Sequence, residues 1–122
     1  MDVVLAVHDA QLAEHGGLAG TRDPTLVQSA VDRPRNLANY SSPDAAELAA
    51  SYAFGLARNH GFIDGNKRTA FVVALIFLLD NGFALTASDE DAIAIMLAMA
   101  AGDIGEQELA AWFRTEIAPL SN

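Results

Sequence analysis

The chain has no cysteine. That excludes a disulfide framework, a thiol nucleophile and a thiolate zinc site, and it fits a reducing compartment. Positive charge is scarce as well: 7 Lys and Arg stand against 16 Asp and Glu, a formal net charge of −9. Such a field repels a nucleic-acid backbone and an anionic membrane surface, so neither is expected as a direct partner. Long hydrophobic runs are missing. The longest covers residues 70–79, about half of what a bilayer requires, and reads as a buried core helix. The opening stretch "MDVVLAVHDAQLAEHGG" has no cation ahead of its apolar residues and carries Asp2 at once. It does not read as a signal peptide, and a soluble cytoplasmic protein is expected. No internal repeat, low-complexity tract or dividing linker stands out, and no alternating strand pattern is convincing.

What is present is material for a core. With 52% hydrophobic residues in 122, the chain is expected to form a single domain over 1–122. The apolar spacing is helical almost throughout. Val4, Leu5, His8, Leu12 and His15 recur at steps of three and four over 2–15, and Gly16-Gly17 stops that helix. Asp23-Pro24 opens a second helix, as N-cap and first helical residue, which is expected to end near Arg33, before Pro34. Ser42-Pro43 repeats the signal for a third, over about 44–58. A fourth is expected over about 65–80, stopped by Asn81-Gly82. "FALTAS" (83–88) reads as a brief extended connector. Ser88 with Asp91 caps a fifth helix over about 89–101, and a sixth follows over about 106–117, anchored by Trp112 and Phe113. The fold class is therefore all-α: a compact bundle of about six helices around helix four, apolar on nearly every side.

The chemistry gathers at the mouth of helix four, in "NHGFIDGNKR" (59–68). Free N–H groups and the positive end of the helix dipole face that loop, a setting that suits phosphate. Gly65 lets a ligand approach the backbone closely. Asn66, Lys67 and Arg68 add an amide and two cations in the first turn, where cations oppose the dipole unless an anion binds; Arg58 lies just upstream. Phe62 is expected to plug the core and leave His60 facing the anion site as a candidate general base. Asp64 is a hard oxygen ligand placed to hold Mg²⁺ against phosphates. Plainer readings exist for each residue alone: Asp64 as an N-cap, Lys67 and Arg68 as a solvated turn, His60 as a surface histidine. Their convergence on one helix start favours a site. His8 and His15, seven residues apart on the first helix, are assigned no role.

These residues resemble the signature of the Fic/Doc superfamily, H-x-F-x-(D/E)-x-N-(G/K)-R, and Lys67 resembles its Doc (death-on-curing) branch of toxins. The likeness covers nearly the whole chain. "HGGLAGTRDPTLVQSAVDRP" (15–34) is similar to the Doc flap region, set at about 16–25, and "AASYAFGLARNH", "KRTAFVVALIFLLDNGF" and "AAGDIGEQELAAWFR" follow the family as well. The resemblance implies a Fic fold with the motif at 60–68. His60 is implied as the base that activates a target hydroxyl, Phe62 as the buried aromatic and Asp64 as the Mg²⁺ acid. Arg58, Gly65, Asn66, Lys67 and Arg68 are implied as the nucleotide-phosphate set. Gly17, Gly20, Arg22 and Asp23 are implied as a flap that positions the target.

Gly61 stands where Pro is commoner, which is expected to loosen the loop while leaving the chemistry intact. Fic AMP-transferases carry Gly at the place of Lys67 and a second Arg where Phe71 stands here. The comparison implies ATP bound in the opposite sense, offering its γ-phosphate, and hence a protein Ser/Thr kinase. Elongation factor Tu is the implied target, with arrest of translation and growth as the result. Gly65 is the one position nearer the AMP-transferase pattern, so AMP transfer is the second reading; a catalytically silent Fic-fold binding module is the third. An inhibitory helix of the form (S/T)-x-x-x-E-(G/N) is not found: Thr86 and Glu90 are followed by Asp91, and the stretch reads as a helix cap. Control in trans by a Phd-like antitoxin, through a segment that orders on binding, is implied instead.

Overall fold

The computed structural model describes residues 1–120. The chain runs α1 (Asp2–His15), α2 (Pro24–Tyr40), α3 (Ala45–Asn59), α4 (Asn66–Asp80), β1 (Phe83–Leu85), α5 (Asp89–Ala101), α6 (Glu106–Glu116) and β2 (Ile117–Pro119). The all-α class and six helices agree with the periodicity. No helix among the described residues is long and apolar enough to cross a membrane.

Most helix starts lie where the caps put them. The Asp23 carboxylate accepts from Thr25 N at 2.9 Å, with Pro24 at the first helical position. Ser88 Oγ accepts from Asp91 N at 3.2 Å. The third helix is different. Its cap is Asp44, not the Ser42-Pro43 pair: Asp44 Oδ1 accepts from Glu47 N at 2.8 Å while Glu47 Oε1 accepts from Asp44 N at 3.4 Å. This reciprocal pair satisfies two donors at once, and Arg114 on α6 clamps the same carboxylate at 2.7 Å.

The end of α2 departs further from expectation. The helix continues through Pro34 to Tyr40. A mid-helix proline removes one backbone bond and costs about 3 kcal/mol, so packing must offset it. Pro34 is itself buried. Its neighbour Arg33 bonds the Ser51 carbonyl at 3.3 Å, pairs with Glu106 and lies over the Phe54 ring. The segment is thereby held to α3 and α6.

α4 is an inner helix as its apolarity requires, but it shares that place with α3. α3 packs against α2, α4, α5 and α6; α4 packs against α1, α3, α5 and β1. α3 can serve so many neighbours because its inward positions are small: Ala49, Ala50 and Ala53 are fully buried, and Ala46 and Ala57 nearly so. Phe113, Leu78, Met99 and Leu109 fill the remaining core. The connector at 83–88 proves to be a paired strand over its first half. β1 and β2 are antiparallel, with Ala84 opposite Ala118, so α6 stops at Glu116.

Candidate active site

His60 ends α3 in a left-handed conformation, φ 53° and ψ 45°. It is the one non-glycine residue with positive φ among those described. Histidine visits this region more readily than most residues, yet it still costs about 1–2 kcal/mol. Such strain persists only when the surroundings impose it. Here Arg22 Nε donates to the His60 carbonyl at 2.9 Å. The imidazole is exposed and lines an open cleft with a volume of about 820 Å³.

The loop after His60 is laced to the segment between α1 and α2. Gly61 O accepts from Arg22 N at 2.8 Å and from Asp23 N at 3.0 Å, and Gly20 O accepts from Ile63 N at 3.2 Å. Thr21 and Phe62 form an antiparallel bridge. The expected flap is thus a strand-like edge bonded to the motif. Gly61 is not a loosened position. It is buried, and a Cβ there would stand 2.4 Å from Val27 Cγ2. The close approach of α2 demands glycine.

Phe62 plugs the core, 2% exposed. Asn66 grips it from the first turn of α4: Oδ1 accepts from Phe62 N at 3.1 Å and Nδ2 donates to Phe62 O at 3.0 Å. The Asn66 side chain therefore closes the loop and does not point a free amide at a ligand. Asp64 is not the N-cap of α4; Gly65 holds that place with φ 78°, and no side chain caps the helix. The Asp64 carboxylate accepts from Leu18 N at 3.2 Å and from Gly65 N at 2.8 Å. The Leu18 bond, then the Gly65 bond, then Arg68 and His8, hold its carboxyl below the ordinary carboxylate value. Gly17 sits against the same oxygen, since a Cβ there would lie 2.8 Å from Asp64 Oδ2.

The start of α4 has no acidic residue in its first turn. Its first intrahelical bond runs from Thr69 N to Gly65 O at 3.0 Å, so the N–H groups of Asn66, Lys67 and Arg68 precede the ladder. Lys67 is exposed and has no carboxylate partner among the described residues. Arg68 donates from Nη2 to Gly16 O at 3.2 Å, while its buried Nε finds no partner on the protein. His60, Asp64, Gly65, Asn66, Lys67 and Arg68 line one cleft. Its far wall is apolar, built by Met96, Leu97, Ala100 and Ala101 of α5.

Two expected members lie elsewhere. Arg58 sits over the Phe54 ring at 5.4 Å, and its Nη1 reaches toward Gly102 at the end of α5. Asp23 spends its carboxylate on Thr25, whose hydroxyl and then backbone N–H lower its pKa. Three participants carried no recognisable signal in the sequence: Leu18, through its backbone N–H; the α5 wall; and His8, which is buried beneath the loop.

A Mg²⁺ ion fits the donor set. No cluster of three or more His, Asp or Glu that could hold a metal by itself occurs among the described residues. Mg²⁺ binding through one carboxylate and ligand phosphates needs no such cluster. Asp64 uses two of about four acceptor positions on its carboxylate for the two N–H groups, leaving the others for a cation.

The sequence profile of the Fic/DOC family matches residues 1–78. Over 88 residues the chain is 39% identical to "Protein kinase doc" of Escherichia phage P1, an alignment covering 71% of this chain and 70% of that protein. It is 43% identical over 76 residues to "Toxin Doc" of Mycolicibacterium smegmatis, covering 59% of this chain and 57% of that protein.

Proposed function

The chain belongs to the Fic/DOC family, and from that membership we propose that it is a Doc-type toxin, a single Fic/Doc domain that phosphorylates a Ser or Thr hydroxyl of a translation factor. One observation carries the reading. The uncapped start of α4 presents Lys67 and Arg68 to the same cleft as His60 and Asp64. Two cations in a first turn are unfavourable until an anion arrives. ATP phosphates supply that anion.

In this reading the γ-phosphoryl group lies over the start of α4. The target hydroxyl, held along the flap edge at Gly17, Gly20 and Arg22, gives its proton to His60 as its oxygen bonds to phosphorus. The bond from phosphorus to the bridging oxygen breaks, and ADP leaves. Lys67 and Arg68 stabilise the spreading charge, so catalysis rests on positioning and electrostatics. Asp64 would hold Mg²⁺, which supplies charge neutralisation between phosphates. Elongation factor Tu is the proposed target, and a Phd-like antitoxin acting in trans the proposed control. A relative similar over 70% of its own length is named a protein kinase, which supports phosphoryl transfer over AMP transfer. The positive φ of Gly65 accounts for that glycine without reference to nucleotide direction.

The test is a paired labelling assay with Mg²⁺, elongation factor Tu and ATP labelled at the α- or the γ-phosphate. Label from γ alone, lost in His60→Ala by about 100-fold or more, is expected. Label from the α position would establish AMP transfer instead. Undiminished labelling by His60→Ala would refute the assigned base.

A further inference from the structure

His8 lies on α1, far in sequence from the motif, yet its imidazole is 2% exposed and forms the floor of the motif loop. Its Nε2 stands 2.7 Å from the Asp64 carbonyl oxygen. Its ring stacks on Phe62 with centroids 3.8 Å apart and planes 9° from parallel. Its Cδ2 and Nε2 both lie 3.6 Å from the point where a side chain would branch at Gly65. One ring thus contacts Phe62 and Asp64 and lies beside Gly65. A carbonyl only accepts, so Nε2 carries the proton.

That bond has a consequence for the carboxylate. The Asp64 carbonyl belongs to the peptide plane that also carries Gly65 N–H, and this N–H donates to Asp64 Oδ1. Fixing the carbonyl therefore fixes the donor that orients the carboxylate. Leu18 N on the flap holds the other oxygen.

We propose that His8 is a positioning residue: through its Nε2–H bond to the Asp64 carbonyl it aims the Asp64 carboxylate at the cation that accompanies a nucleotide in this cleft. The proposal rests on the nucleotide reading above. Groups of this kind, one step removed from the ion, change metal affinity by about 10- to 100-fold when replaced.

The experiment measures ATP binding by calorimetry in a His60→Ala background, with Mg²⁺ and again with chelator, so that no turnover is involved. His8→Phe keeps the ring on Phe62 and removes the donor; His8→Gln restores an N–H near the Nε2 position. His8→Phe is expected to weaken Mg²⁺-dependent binding by about tenfold or more while chelator binding stays within about twofold, and His8→Gln is expected to recover most of the difference. Equal Mg²⁺-dependent binding by His8→Phe and its parent overturns the role of His8 and leaves the nucleotide reading standing. A parent that shows no Mg²⁺-dependent binding overturns both. Equal loss with and without Mg²⁺, unrescued by His8→Gln, marks His8 as a structural residue only. If His8→Phe fails to fold, His8→Gln and His8→Asn replace it: the shorter amide cannot reach Asp64 O, and equal Mg²⁺-dependent binding by the two overturns the proposal.

Discussion

The interior of α3 and the loop that follows it are adjacent in sequence and built on opposite principles. Inside α3 a stripe of alanines lets four other helices approach, and any small apolar residue would serve as well. In the loop and flap each residue from 60 to 66 makes a particular polar contact or close approach: Arg22 to His60 O, two N–H groups to Gly61 O, Asn66 to both sides of Phe62, His8 to Asp64 O. The difference shows how the molecule divides labour. Bulk burial, non-directional and cumulative, sustains the bundle. Directional bonds hold the strained His60 and the aimed Asp64, because only directional bonds fix an angle.

Three substitutions would break or sharpen this contrast. The largest stability effect is expected in the scaffold. Ala50→Leu forces three extra carbons into a fully buried position and should cost about 3 kcal/mol by overpacking, read as a fall of several degrees in Tm. Denaturation of the variant at an unchanged midpoint would mean that the interior is looser than its burial indicates. Asn66→Ala should cost about 1–2 kcal/mol, less than the scaffold change. It should still depress the proposed phosphoryl transfer far more than it lowers Tm, because the Phe62 turn beside His60 and Asp64 opens. Parallel losses of activity and stability in the two variants would erase the distinction between scaffold and loop.

The smallest effect belongs to a surface ion pair. Arg114→Ala removes the partner of Asp44, and exposed pairs of this kind contribute little. The Arg114 bond is the main reason that the Asp44 carboxyl lies below its ordinary 3.8. A depressed carboxylate contributes its stability above the unfolded-state value and loses it as pH falls through the lower folded-state value. The gap between Arg114→Ala and the parent should therefore be present at neutral pH and close in urea titrations as pH falls below about 3.8. A gap that persists in acid would mean that Arg114 acts through packing and not through the carboxylate. The Asp64 carboxyl is depressed in the same sense. It stays ionised at every pH above the ordinary carboxylate value, so its flap bond is expected to loosen only in stronger acid.

Six helices were legible because each announces itself locally, through a cap, a stop or a run of apolar spacing. The failures have local causes too. Pro34 is a reliable helix breaker in isolation, and only the anchorage of Arg33 on α3 and α6 overrules it. Ser42-Pro43 outbid Asp44 as a cap because the reciprocal bond of Glu47 and the clamp of Arg114 are tertiary facts. The six cleft-lining motif residues were readable from the convergence of residue types. Arg58 stands close to the motif in the chain, but α3 turns its side chain toward Phe54 and the end of α5, which its sequence position does not reveal. His8 carries no such signal: 56 residues separate it from Asp64, and nothing in its own neighbourhood distinguishes it from a core histidine.

By itself the sequence determined the all-α class, the helix starts at Asp23 and Ser88, the motif and the family to which it belongs, because these depend on residue identity and short-range spacing. Only the tertiary structure decided which groups face each other: that β2 pairs with β1, that Gly61 must make room for Val27, that Asn66 turns inward, and that a histidine on α1 bonds the Asp64 carbonyl at the mouth of α4. Hydrogen bonds and steric contacts act over a few ångströms, and chain separation does not reveal which distant groups will come that near.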